Sequence, residues 1–187
     1  MAGLNIGASR FFTMQKNVAA SGTPERVMPY IAATTIGFTG TTITDSGNNL
    51  RNKGFFPGMR VTISGASNSA NNKTVTIGDL NTDVVAGTMT LETDETLTTE
   101  AAGASVVIQP ESLFTKVAPD AQIVVKAKFA NTGTITIADS SDKALNTATF
   151  HVKLRNNEDV KMKMSDLTHL WMDATVSGDG VEVMFEW

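Results

Sequence analysis

An all-β fold is predicted by three features of the chain. Short apolar stretches alternate with polar residues at a period of two, and clusters of Gly, Asn, Ser and Asp separate them. The one helical signal is a turn or two over residues 96–102. Composition agrees, because charged residues make up only 18%, against about a quarter in an average protein. Thr, Asn, Ser and Gly fill much of the polar surface; Thr favours strands and the others favour turns. With 187 residues the chain has length for one large or two small domains, each with its own core.

Residues 1–33 show neither period. Phe11, Phe12, Met14 and Val18, with Met28, Tyr30 and Ile31 further on, are scattered among Gly, Ala, Ser and Pro. The segment reads as an extended N-terminal arm that lays its apolar side chains on a neighbour; an ordered edge of the fold is the other reading.

Residues 34–110 read as a first small β domain, a barrel or sandwich. Ile36, Phe38 and Ile43 belong to a Thr-rich strand region that stops at Asp45, Ser46 and Gly47. Met59, Val61 and Ile63 alternate with Arg60, Thr62 and Ser64, and a polar loop follows over residues 65–72. Val75 and Ile77, then Met89 and Leu91, alternate with threonines, and Val106, Val107 and Ile108 close the unit. Pro110 removes a ladder donor and no apolar pattern crosses it, so residues 109–112 are the expected boundary.

Residues 111–187 read as a second, antiparallel β-sandwich domain, jelly-roll-like in strand count. Ile123, Val125, Ala127 and Phe129 share one face of a strand. Ile135 and Ile137, Val152 and Leu154, then Val160, Met162 and Met164 mark three more. The last stretch alternates Leu170, Met172, Ala174 and Val176 with Trp171, Asp173 and Thr175. Ser177, Gly178, Asp179 and Gly180 then tolerate a turn, and Val181, Val183, Phe185 and Trp187 fall on one face. This predicts a terminal β-hairpin packed in the core.

The chemistry of the chain is sparse. Cysteine is absent and there are two histidines, His151 and His169, so nucleophilic triads and His-rich or thiolate metal centres lack their residues. No cofactor is expected. Calcium would need several loop oxygens, for which Asp139 and Asp142 are the least poor choice, although the EF-hand order is missing. The net charge is −4 with a pI near 5.1, which gives no basic field for nucleic acid or an anionic membrane. No apolar run reaches the ~18 residues of a membrane span. The first residues have no basic stretch followed by an apolar one, so no secretory leader is expected and synthesis belongs in a cytoplasm. One patch stands out: Lys126 and Lys128, Lys153 and Arg155, Lys161 and Lys163 occupy polar faces of three predicted strands. If those strands share a sheet, they form one basic face for docking. Surface lysines that blunt aggregation are the plainer reading.

The strand pair Val125-Lys126-Ala127 … Asn131-Thr132-Gly133-Thr134-Ile135-Thr136-Ile137 is followed by Asp166-Leu167 … Leu170-Trp171-Met172-Asp173-Ala174 and Ser177-Gly178-Asp179-Gly180-Val181. This texture resembles the small β-sandwich of tailed-bacteriophage virion proteins. The middle unit is similar to virion β-modules through Phe55-Phe56-Pro57-Gly58-Met59-Arg60-Val61, Asn71-Asn72-Lys73-Thr74-Val75 and Ala101-Ala102-Gly103-Ala104-Ser105-Val106. The resemblance implies a non-enzymatic structural protein, foremost a cement or decoration protein on the capsid surface. Its partners would be the major capsid protein and further copies of itself, as a homo-oligomer with a trimer favoured, and neither nucleic acid nor membrane. A tail, head-completion or receptor-binding module, including one for carbohydrate, is the alternative; an enzyme would require acids converging from separate loops.

Overall fold

A computed structural model describes residues 11–111, 122–144, 152–164 and 166–186. Over these residues the chain is all-β, with four antiparallel sheets and no closed barrel. Strands β1 (Phe11–Asn17) and β2 (Glu25–Arg26) come first. They are followed by β3 (Ile31–Ala33), β4 (Ile36–Thr39), β5 (Thr42–Asp45) and β6 (Arg60–Ser64). Next come β7 (Thr74–Thr76), β8 (Thr88–Thr90) and β9 (Val106–Pro110). The remainder is β10 (Gln122–Ala127), β11 (Ile135–Ala138), one helical turn α1 (Ser141–Ala144), β12 (Val152–Leu154), β13 (Asp159–Lys163), β14 (Trp171–Ala174) and β15 (Gly180–Glu186).

Each pair of sheets encloses one apolar core. In the first unit the sheet β3-β9-β6-β7 faces β4-β5-β8 around Ile31, Phe38, Ile43, Met59, Val61, Ile63 and Ile108. In the second, β1-β15-β10-β13 faces β12-β11-β14-β2 around Met14, Val18, Ile123, Val125, Ile135, Met172 and Val183. Strict alternation builds both: Val61 and Ile63 point in while Arg60 and Ser64 point out, and Ile123 and Val125 are buried while Gln122 is exposed. Phe56 packs against both cores and joins them. The 65–72 loop is also well tied. Glu100 accepts bonds from the Ser67 and Asn68 amides and from the Asn71 side chain, which is fully buried.

Several expectations change. Within the segment 1–33 expected as an arm, residues 11–33 contain three strands, β1 and β2 of the second unit and β3 of the first. β1 pairs along its whole length with β15 (Phe11 opposite Glu186, Asn17 opposite Gly180). Met14 and Val18 are therefore buried in the chain's own second core. The pattern was hidden because Lys16 occupies the inward position between them and breaks the apolar alternation. β2 pairs with β14, so the chain begins in the second unit, leaves it between Met28 and Ile31 to build the first, and returns after β9. The second unit is thus not confined to residues 111–187. At the other end of the first unit β9 runs to Pro110, and the Glu111 amide bonds the Arg60 carbonyl.

The terminal hairpin is an arch. β14 lies in one sheet, beside β11 and β2, and β15 in the other, between β1 and β10. A period of two fixes which face of a strand is apolar, and here both apolar faces point into the same core from opposite sides. Phe129 lies beyond the end of β10 and is 78% exposed. No helix forms over 96–102, where Leu97 and Glu100 instead bond the backbone of Gly40 and Phe38. Trp187, His151 and residues 1–10 lie outside the described residues.

Candidate functional site

Only part of the expected basic face comes together. β10 and β13 are neighbours, so Lys126, Lys161 and Lys163 lie on one outer surface, with Lys128 just past the end of β10. β12 belongs to the opposite sheet, which takes Lys153 away, and exposed Arg155 follows it in the turn. The surface that remains is a mosaic. Lys126 stands between Asp159 and Glu182 in the register, and Lys128 Nζ donates to Asn17 Oδ1 at 2.7 Å. Burial lowers the Lys128 pKa, opposed by the Glu182 charge.

The other candidates are engaged locally. Asp139 pairs with Lys143 one helical turn on, at 2.9 Å, and this bond holds its carboxyl below the usual range. His169 is exposed at the end of a 3-10 turn whose first residue, Leu167, is core. Among the described residues no three acids or histidines converge to hold a metal ion. Phe11 and Phe12 are placed by their backbone pairing alone.

Residues of the resembling motif build a tie between loops. Asn131 is buried and exchanges two bonds with Gly180: its Nδ2 donates to the Gly180 carbonyl and its Oδ1 accepts from the Gly180 amide, both at 2.8 Å. Asp179, also buried, accepts from the Thr132 amide at 3.0 Å and the Gly133 amide at 2.7 Å. Gly180 is required by close approach, since a Cβ there would run into the Lys16 carbonyl. The Asn-Thr-Gly and Gly-Asp-Gly sequences thus hold the end of β10 against the start of β15.

The seam between the units holds a denser constellation than the basic face. Lys16, inward-facing on the edge strand β1 and 2% exposed, reaches out of the core. Its Nζ lies 3.0 Å from the Lys53 carbonyl and 3.3 Å from Glu25 Oε2. Lys53 Nζ is 3.2 Å from the same carboxylate oxygen, and the Ala19 amide donates to Glu25 Oε1 at 2.8 Å. Burial pushes the Lys16 pKa down to about 8, with the Glu25 charge resisting and the Lys53 charge adding to the fall. For Glu25, burial raises the pKa, but the Ala19 amide and the two lysines outweigh it and leave it lowered. Next to this cluster Arg26 lies over two rings, 5.2 Å from the Tyr30 centroid and 5.4 Å from that of Trp171, its cross-strand neighbour.

Arg26 and Tyr30 form the wall between two clefts. One, of about 500 Å3, also contains Glu111 and Asp166. Both are occupied, Glu111 by Arg60 at 2.9 Å and Asp166 by the amide and hydroxyl of Thr168. The other, of about 290 Å3, opens onto Lys16, Lys53 and Trp171. Sequence reading named Tyr30 as an arm residue and Trp171 as a strand residue, and singled out none of the seam residues as a site. One signal was present, the lysine between Met14 and Val18; the meeting of Arg26 with Trp171 has none, because it depends on the pairing of β2 with β14. Comparison with protein families, curated proteins and solved structures finds no match for this chain.

Proposed function

We propose that the protein is a non-enzymatic structural component of a tailed-bacteriophage virion, a cement or decoration protein that binds the outside of the head shell and stabilises it. The observation that carries this reading is the use to which the resembling residues are put. Asn131, Gly133, Asp179 and Gly180 lock strand ends together. A protein whose most distinctive residues serve rigidity suits a role in which it is itself a building part. Its partners on this reading are the major capsid protein and other copies of itself, as a trimer. A carbohydrate-binding module is less well supported, because open aromatic faces bind sugars and Arg26 already occupies a face of both Tyr30 and Trp171.

The test is binding of the purified full chain to expanded head shells of the phage that encodes it. Saturable co-sedimentation, density on the shell surface by electron microscopy and a raised shell melting temperature are expected. Density at the tail, or a shell that melts unchanged at saturating protein, would sink the cement reading.

A further inference from the structure

The smaller cleft at the seam is unbalanced in charge. Lys16, Lys53 and Arg26 line it with a single acid, Glu25, between walls supplied by Tyr30 and Trp171. The two lysines share Glu25. Arg26 has no ion pair and donates no hydrogen bond among the described residues; its interactions are with the two rings. An arginine held over aromatic rings is fixed in orientation, and its forked N–H edge is left to meet a partner in plane. The excess positive charge lies in a chain of net charge −4, so the cleft differs in sign from the protein as a whole.

We propose that this cleft is a carboxylate-binding site that takes the side chain of a Glu or Asp residue of a partner protein on Arg26. A carboxylate is planar and accepts two parallel bonds from the guanidinium edge. A tetrahedral phosphate can take the same two bonds but carries its remaining oxygens out of that plane. Lys16 and Lys53 add attraction that Glu25 does not cancel. The volume, about 290 Å3, is at the lower limit of small-ligand pockets and suits one side chain. Arg, Trp and Tyr together are also the residues on which protein interfaces concentrate their binding energy.

The test uses the full chain labelled with nitrogen-15, following the Trp171 indole N–H and the Arg26 Nε–H. The probes are N-acetylglutamate N-methylamide, its glutamine counterpart, acetate and inorganic phosphate. Saturable shifts are expected with the glutamate compound at concentrations at least about tenfold below any response to the glutamine one, the size of a charge-assisted bond pair. Arg26→Gln should raise half-saturation about tenfold or more, with Arg26→Lys in between because it keeps charge and loses the fork. Equal response to the glutamine compound, no saturation, or an unaltered Arg26→Gln titration would overturn the site. Phosphate saturating below the glutamate compound would overturn the planar fit, and acetate doing so would overturn the side-chain source in favour of a free carboxylate. The probe series on the unsubstituted protein decides these points even if the variants fail to fold.

Discussion

Replacing Lys16 by methionine should make the protein more stable at neutral pH, and the gain should fade as the pH rises. In the folded chain the Lys16 pKa falls from 10.5 to about 8. At ~1.4 kcal/mol per unit this amounts to about 3 kcal/mol of penalty on the charged form, attraction to Glu25 already included. The sign follows from proton counts. Below pH 8 both states hold the proton and the penalty is constant. Between 8 and 10.5 the unfolded chain holds it and the folded chain has released it, so raising the pH favours folding. Methionine carries no such term, and its stem fills much of the same space. Glu25, whose pKa the lysines lower, stays ionised in both proteins over this range, so the difference between them reports chiefly on Lys16. That difference should shift by about 3 kcal/mol in favour of the lysine protein from pH 7 to 10.5. Urea unfolding followed by circular dichroism across that range measures it. A difference that stays flat would show that Lys16 is hydrated in solution and that the seam is looser than its distances imply.

Four further outcomes are expected. Asp179→Ala leaves the Thr132 and Gly133 amides without their acceptor and should cost about 2–3 kcal/mol in chemical denaturation. Gly180→Ala forces backbone apart at the Lys16 carbonyl and should cost ~3 kcal/mol or more, visible as a large drop in melting temperature. Ile123→Ala, in a fully buried position, should cost roughly 2–5 kcal/mol, whereas Phe129→Ser should change folding stability by less than about 0.5 kcal/mol. Thermal unfolding should be the same with and without EDTA; a marked loss on chelation would bring Asp139 and its loop forward as a calcium site.

The sequence made the strands legible wherever alternation was unbroken, as over Arg60–Ser64 and Gln122–Ala127. It failed at β1 for a physical reason: a lysine at a core-facing position is tolerated when its amine can leave through the edge of the sheet, as Lys16 does to reach Glu25. Phe129 was misread because alternation carries past Ala127, while the last bond to β15 is that of the Lys128 amide to the Gly180 carbonyl, where β15 begins, and a turn follows. Which sheet a strand joins is a third kind of information. The pattern of residues 170–187 is the same for a hairpin and for an arch, and only the competition of β1, β10, β11 and β2 for partners decides it. The seam site depends on that assignment. Its residues come from β1, β2, β14, the link between β2 and β3, and the loop after Leu50, and nothing local to any of them announces the others.

The pairing of β1 with β15 has a consequence for how the chain is made. β1 leaves the ribosome long before its ladder partner β15. The whole first unit emerges between them, with a core and ladders that need nothing from either strand, and can fold first. β1 must wait through that interval as an unpaired edge carrying Met14 and Val18. Closing so long a loop places the second unit among slow, high-contact-order folds. Lys16 now looks different in that light, since a charge in the middle of the waiting strand makes it a poor template for pairing with a second nascent chain. The charge that costs stability in the finished protein protects the strand while the protein is incomplete.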